Sequence, residues 1–288
     1  MYHSLLLSIL FSSLIFVIFK GFSRYDVRTS YAIVVNYFVA CAVGLLFYED
    51  TVNLTTIPSK KWFTGAVALG LLFIIVFNLI AATAQKLGVS VASIATKMSF
   101  VLPVLFGLLI YEEKVSGIKI LGILMAIVAV FLCSKRTELT ASTRILFTLP
   151  FLVFLGSGTI DITLKYFQEF HVPKEEYALF SASIFAVAGL FGIIYTMIKA
   201  LKKPLRWSTK NCIGGIILGI PNFFSIYFLL KALNTTKVDS VTIFTINNIG
   251  IVTVSTFLGM LLFKEKLDFK NWIGVLLAVT SIILITIF

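Results

Sequence analysis

The chain has 288 residues, of which 59% are hydrophobic and only 13% charged, a balance too apolar for an ordinary soluble domain and one that places the protein in a bilayer. Its net charge of +11 does not point to nucleic acid, because the basic residues stand singly or in small clusters between apolar spans; they read as loop charges that orient helices and meet anionic lipid headgroups. Cys41, Cys133 and Cys212 lack CxxC or CxxH spacing, which argues against a zinc site and a disulfide framework.

Apolar segments fall at 4–19, 29–48, 62–85, 89–111 and 116–134, then at 144–168, 176–199, 210–233, 238–263 and 269–288. Each is close to the roughly 20 residues that cross about 30 Å of hydrocarbon. The runs are long and continuous instead of short and alternating, so the expected fold is all-α and integral to the membrane, with ten transmembrane helices. The first segment is read as a retained helix, since no basic residue precedes its apolar stretch and no small-x-small cleavage site ends it. Between the seventh and eighth segments, "TMIKALKKPLRWSTK" carries Lys199, Lys202, Lys203, Arg206 and Lys210 and is expected at the cytoplasmic face. Odd-numbered connections hold roughly twice the Lys and Arg of the even ones, a bias that favours both termini outside.

The halves repeat. "FGLLIYEEKVSGIKILGILMAIVAVFL" (106–132) lies over "LGMLLFKEKLDFKNWIGVLLAVTSIIL" (258–284), matching Gly107 with Gly259, Glu113 with Glu265, Lys114 with Lys266, Gly122 with Gly274 and Ala126 with Ala278. Lys20 and Lys165, ending the first and sixth segments, support the same division into 1–137 and 138–288. Five crossings per half force the second repeat to start on the opposite side, which makes the pair an inverted repeat.

This pattern of five plus five spans, each half closing on an acidic-basic turn and a Gly-containing final helix, resembles the drug/metabolite transporter superfamily and its EamA-type family. The resemblance covers essentially the whole chain. Its most specific part is a Gly-Glu-Arg-like turn, present here as Glu112-Glu113-Lys114 and Lys264-Glu265-Lys266, with the glycine replaced and lysine in place of arginine. It implies a secondary transporter or exporter of small metabolites or drugs working by alternating access, without naming the solute. Members of the family are usually drawn with cytoplasmic termini, opposite to the charge count, so orientation stays open.

Polar residues inside the spans mark candidate sites, because an ionised side chain at mid-bilayer costs about 2.5 to 3.5 kcal/mol on insertion scales and needs a wet cavity or a partner. Lys97 lies about nine residues into the fourth segment, roughly 13 Å deep. Ser90 and Ser93 share its helical face, and Pro103 frees a carbonyl one turn earlier, as suits a bent helix beside a pathway. Lys97 is therefore read either as a group for solute or counter-charge, or as a structural lysine held by a carbonyl or carboxylate.

Asp161 is the one acidic residue well inside a span; it is either the proton-coupling group of an exporter or the partner of Lys165 in an i, i+4 ion pair. Asn36, Asn78, Asn222, Asn247 and Asn248 add neutral polar groups, each either interhelical glue or part of the cavity. The candidate solute site thus comprises Lys97, Ser93, Asn78, Asn222, Asn247 and Asn248, lying between the third, fourth, eighth and ninth helices. The Glu113 and Glu265 turns are expected mainly to cap the helices that follow them.

The first functional reading is a transporter of a small metabolite across the cytoplasmic or inner membrane, driven by a proton or by exchange; a multidrug or cationic-compound exporter is the alternative. An intramembrane enzyme is disfavoured by a sequence with two histidines, both near water, no HExxH, no GxSxG frame and no aspartyl dyad. A channel would favour symmetric pore rings over a two-fold repeat about one site. No cofactor, metal or nucleic acid is expected. The expected partners are a small solute and the lipid bilayer, with a homodimer left open.

Overall fold

The computed structural model describes residues 2–47, 55–103, 105–106, 117–134, 143–201, 207–233 and 240–287. Ten α-helices run through them: α1 (Tyr2–Arg24), α2 (Thr29–Leu46), α3 (Phe63–Leu87), α4 (Val89–Met98), α5 (Gly117–Ser134), α6 (Thr143–Phe170), α7 (Tyr177–Ala200), α8 (Thr209–Leu233), α9 (Ser240–Phe263) and α10 (Phe269–Ile287). Short 3-10 turns at Ile57–Ser59 and Lys174–Glu176 lead into α3 and α7. Among the described residues, eight helices are long and apolar enough to cross a membrane, and Val89–Pro103 and Ile120–Cys133 are shorter apolar ones. The protein is an all-α membrane protein, the only spanning architecture besides a closed barrel that satisfies its backbone hydrogen bonds in lipid.

The fourth segment is interrupted where its proline requires. Helix α4 ends at Met98, a turn occupies Ser99 and Phe100, and helical geometry resumes over 101–103. Pro103 has no N–H to offer the Ser99 carbonyl, and that carbonyl instead accepts the Leu102 N–H at 2.9 Å. Pro150 and Pro221 lie inside helices that continue past them.

Packing divides the chain into two compact units, each built from both halves of the sequence. The first comprises Met1–Gly21, Leu79–Thr159 and Phe224–Phe288. Its core joins Ile94, Met98 and Val101 to Ile123, Ala126 and Ala129 of α5, Val252 of α9, and Ala278, Ile282 and Ile285 of α10. Along the seam between α5 and α10 the backbones approach closely at glycines: a Cβ on Gly122 would fall 2.7 Å from Ile285 Cγ1, and one on Gly274 would fall 2.5 Å from Cys133 Sγ. Gly122 aligns with Gly274, and Cys133 with Ile285, at the shift that relates the two repeats, so each contact is the other seen from the opposite repeat. Such an exchange requires antiparallel helices about a local two-fold axis, which is the inverted sense expected of two five-helix repeats. Ser281 Oγ donates to the Gly122 carbonyl at 2.8 Å, and Asn271 Nδ2 donates to the Leu132 and Cys133 carbonyls at 3.1 and 3.2 Å, closing the last turn of α5.

The second unit comprises Phe22–Asn78 and Ile160–Phe223. Here α8 approaches α2 through Gly215 and Gly219, where a Cβ would stand 2.7 Å from the Ala32 carbonyl and 2.9 Å from the Asn36 carbonyl. Small residues of this kind are how membrane helices gain contact where burial of apolar surface gives no drive. Just before α3 and α7, Lys60 Nζ lies 2.6 Å from Glu176 Oε1, and the indole N–H of fully buried Trp62 donates to Glu176 Oε2 at 2.5 Å. These two hydrogen bonds hold the Glu176 carboxyl below its usual pKa, the Lys60 bond first.

Two outcomes are expected from this packing. Gly274→Ala forces a methyl against Cys133 and destabilises the protein by about 1–3 kcal/mol, whereas Gly21→Ala, with nothing within 4 Å of the added carbon, is neutral or stabilising in the same unfolding assay. A depressed carboxylate pKa means that the Glu176 clasp contributes fully above the unfolded-state value and is lost as pH falls through the folded one. Glu176→Gln therefore lowers stability at pH 7 by about 1 kcal/mol, a figure kept small because Lys60 is more than a third exposed, and wild type and variant converge in acid.

Candidate functional site

The first unit holds four of the residues picked out in the sequence: Ser93 and Lys97 on α4, and Asn247 and Asn248 on α9. On α4 the polar face is continuous, and the hydroxyls beyond Ser90 are engaged with their own segment. Ser93 Oγ donates to the Ser90 carbonyl at 3.0 Å and Thr96 Oγ1 to the Ala92 carbonyl at 2.8 Å, while Ser99 Oγ donates to the Thr96 carbonyl at 2.6 Å. Ser93 is fully buried, so what it can offer a solute is its oxygen as an acceptor. Lys97 stands in the last turn of α4 and is partly buried, two residues before the interruption at Ser99.

On α9, Asn247 is buried and Asn248 partly so. Ser8 Oγ of α1 lies 2.9 Å from the Ser225 carbonyl of α8 and 3.1 Å from the Asn247 side-chain oxygen as placed. A hydroxyl has one hydrogen; both contacts are satisfied when it donates to the Ser225 carbonyl and the Asn247 amide is turned to donate to it. Three helices thus meet on one small polar node. Beside it runs an aromatic group: the Phe11 ring lies 5.6 Å from Phe224 and 5.8 Å from Phe228, Tyr227 packs edge-on against both α8 rings, and Lys231 Nζ sits 5.9 Å above the Tyr227 ring. Ser8 carried no sequence signal, being a lone serine in an apolar helix.

The other candidates belong to the second unit. Asn78 Nδ2 donates to the Ile74 carbonyl of its own helix at 2.7 Å, and its side-chain oxygen lies 3.4 Å from Ser30 Oγ on α2. Asn222 is buried, and its amide donates to Asn36 Oδ1 at 3.2 Å, next to the close approach at Gly219. The contacts of Asn78 to Ser30 and of Asn222 to Asn36 are of the kind that joins helices in lipid. Asp161 lies on α6 and is exposed. The Lys165 side chain and the Glu112-Glu113-Lys114 turn lie outside the described residues.

Glu265 makes a contact that the sequence did not foretell: its carboxylate accepts the Val89 N–H at 2.8 Å and the Ser90 hydroxyl at 3.3 Å, both at the start of α4, 176 and 175 residues away. An acidic group here meets the positive end of a helix dipole and otherwise orphaned donors. The acidic-basic turn gave away the residue in the sequence, but not its destination.

Lys20 shows how a cation near a helix end is accommodated in this protein. Its ammonium donates to the Gln85 carbonyl at 2.8 Å, and Gln85 Nε2 donates back to the Phe19 carbonyl at 3.0 Å, joining the ends of α1 and α3.

Replacing Asn247 with Ala leaves Ser8 with the Ser225 carbonyl alone, and a cost of about 1–2 kcal/mol is expected. Ser8→Ala in the same background should then add little, because the two act through one node, and a double-mutant cycle on purified protein measures that coupling.

An uncharacterized protein of Haemophilus influenzae is 30% identical over 286 residues, covering 97% of this chain and 96% of its own length. A crystal structure of another protein is similar at 14% identity with a TM-score of 0.56, covering 97% of this chain and 98% of that one, a likeness in fold alone. The profile of the EamA-like transporter family matches twice, over residues 2–135 and 144–287. Two successive matches, on helices whose fifth and tenth members exchange equivalent contacts, make this multi-pass membrane protein a member of the EamA-like transporter family.

Proposed function

We propose that this chain is a secondary transporter that moves a small metabolite across the cytoplasmic membrane by alternating access, driven by a proton or by exchange with a second solute. The observation that carries the reading is Lys97: a cation in the last turn of a short helix that breaks two residues later, in a family of transporters whose halves run in opposite senses. Broken helices near the membrane midplane are where inverted-repeat carriers place solute groups, because the interruption leaves backbone groups free to bind. Lys97 would meet a carboxylate or another anionic group, with Asn248 and the Ser93 oxygen as neutral partners on facing helices. No covalent step is required, and the protein acts as a carrier, not as an enzyme or a channel.

Asp161 is the candidate for the proton. As an exposed carboxyl on α6 it would bind and release a proton as its surroundings change through the cycle. The aromatic group of Phe11, Phe224, Tyr227 and Phe228 favours a second reading, export of a cationic or aromatic compound, since such rings bind cations and flat solutes on their faces.

The test is thermal stability of purified wild type and Lys97→Gln in detergent against pools of amino acids, sugars, sugar phosphates, nucleosides and cationic drugs. An anionic or zwitterionic pool is expected to raise the melting temperature of wild type and to lose most of that effect in Lys97→Gln. Stabilisation of both proteins by the cationic drugs alone would overturn the metabolite reading in favour of the exporter. In proteoliposomes, Asp161→Asn is expected to flatten the pH dependence of transport of the stabilising solute; an unchanged pH profile would remove Asp161 from the coupling.

A further inference from the structure

We propose that Glu265 is a positioning residue of the carrier: held by the turn between α9 and α10, its carboxylate fixes the start of α4 and so the level of the face bearing Ser93 and Lys97. The inference rests on the transport reading for its purpose, but the contact itself does not depend on any solute.

The start of α4 has no local means of satisfying its donors. A single residue, Gly88, separates α3 from α4; its φ of 112° lies in the region that favours glycine, and it offers no side chain as a cap. Its own N–H is spent on α3, donating to the Thr83 and Ala84 carbonyls at 3.2 and 3.1 Å. Leu87 and Val89 on either side are fully buried. The donors of the first turn must find an acceptor inside the protein, and Glu265, 8% exposed, supplies both oxygens: Oε1 to the Val89 N–H and Oε2 to the Ser90 hydroxyl.

The turn that carries Glu265 is shaped for this contact. Lys264 takes a left-handed φ of 53°, and the Glu265 N–H donates to the Gly259 carbonyl at 3.3 Å. Gly259 leaves the space the carboxylate occupies: a Cβ there would fall 2.8 Å from Glu265 Oε2 and 3.2 Å from Val89 Cβ. From Ser90 the connection runs on through the same helix, since the Ser90 carbonyl accepts the Ser93 hydroxyl and Lys97 stands one turn beyond Ser93. A helix of ten residues moves as one piece, so an anchor at Val89 and Ser90 governs where Lys97 stands.

The test reads the position of α4 without a solute. In full-length protein with Cys41, Cys133 and Cys212 replaced by alanine and reconstituted in vesicles, Ser93→Cys and Ser281→Cys are introduced separately; both positions are fully buried, and Ser281 lies on the α5–α10 seam. The rate of modification by N-ethylmaleimide is then compared with and without the Glu265 substitutions. Glu265→Ala is expected to raise the rate at Ser93→Cys about tenfold and to leave Ser281→Cys unchanged, as local release of α4 requires. Glu265→Gln keeps a carbonyl for the Val89 N–H and should stay near the parent rate. Gly259→Ala, which pushes the carboxylate away without removing it, should reproduce Glu265→Ala, and it carries the test if Glu265→Ala does not fold. An unchanged rate at Ser93→Cys, or an equal rise at both positions, would overturn the proposal. Because no solute enters the assay, that failure would leave the transport reading intact. The converse, altered labelling in a protein that carries no solute, would overturn transport alone.

Discussion

Close approach of helix backbones is the constraint on which this structure depends. In lipid, burying an apolar side chain against another helix gains nothing over burying it in hydrocarbon, so association must come from dense contact and from polar groups that find each other. The glycines supply the first. Gly122 and Gly274 let α5 and α10 meet at side chains that would otherwise hold them apart, and Gly215 and Gly219 bring α8 down onto the carbonyls of α2. The polar seams supply the second, with Asn36 to Asn222, Ser281 to Gly122 and Asn271 to the end of α5.

The seam between α5 and α10 also carries the symmetry of the molecule. Equivalent residues of the two repeats occupy equivalent places on opposite helices, so a duplication that inverts the chain's direction gives a contact that fits itself. Around that self-matched pair sits α4, short, buried on most of its surface and interrupted at Ser99. The break comes from Pro103, which removes a donor, and the start comes from Gly88, which turns the chain. A helix with two loose ends between better-anchored neighbours needs a tether, and Glu265 is where the structure provides one.

The polar residues then separate by what they touch. Asn78 and Asn222 spend their amides on helix carbonyls and on another asparagine. Asn247 joins Ser8 and the Ser225 carbonyl in a node of three helices. On α4, the helix that also carries Lys97, the Ser93 and Thr96 hydroxyls fold back onto their own backbone and the Ser90 hydroxyl goes to Glu265. Neutral side chains in hydrocarbon find partners first and are available to a solute second.

Hydropathy and repetition were enough to read the ten helices, the inverted pairing and a bend in the fourth segment, because span length, the shift between repeats and the missing N–H of proline are all properties of the chain itself; that the bend is an interruption at Ser99 and Phe100 was seen only in the structure. Helix bounds such as Thr209–Leu233 and Phe269–Ile287 lie within a residue of the apolar runs that foretold them. Partners across the fold were not legible. Nothing in the order of residues says that Ser8 meets Asn247, or that Glu265 reaches back 176 residues to Val89. A sequence fixes which groups need a partner; which donor and acceptor come within 3 Å of each other depends on how the helices pack, and that was decided only in three dimensions.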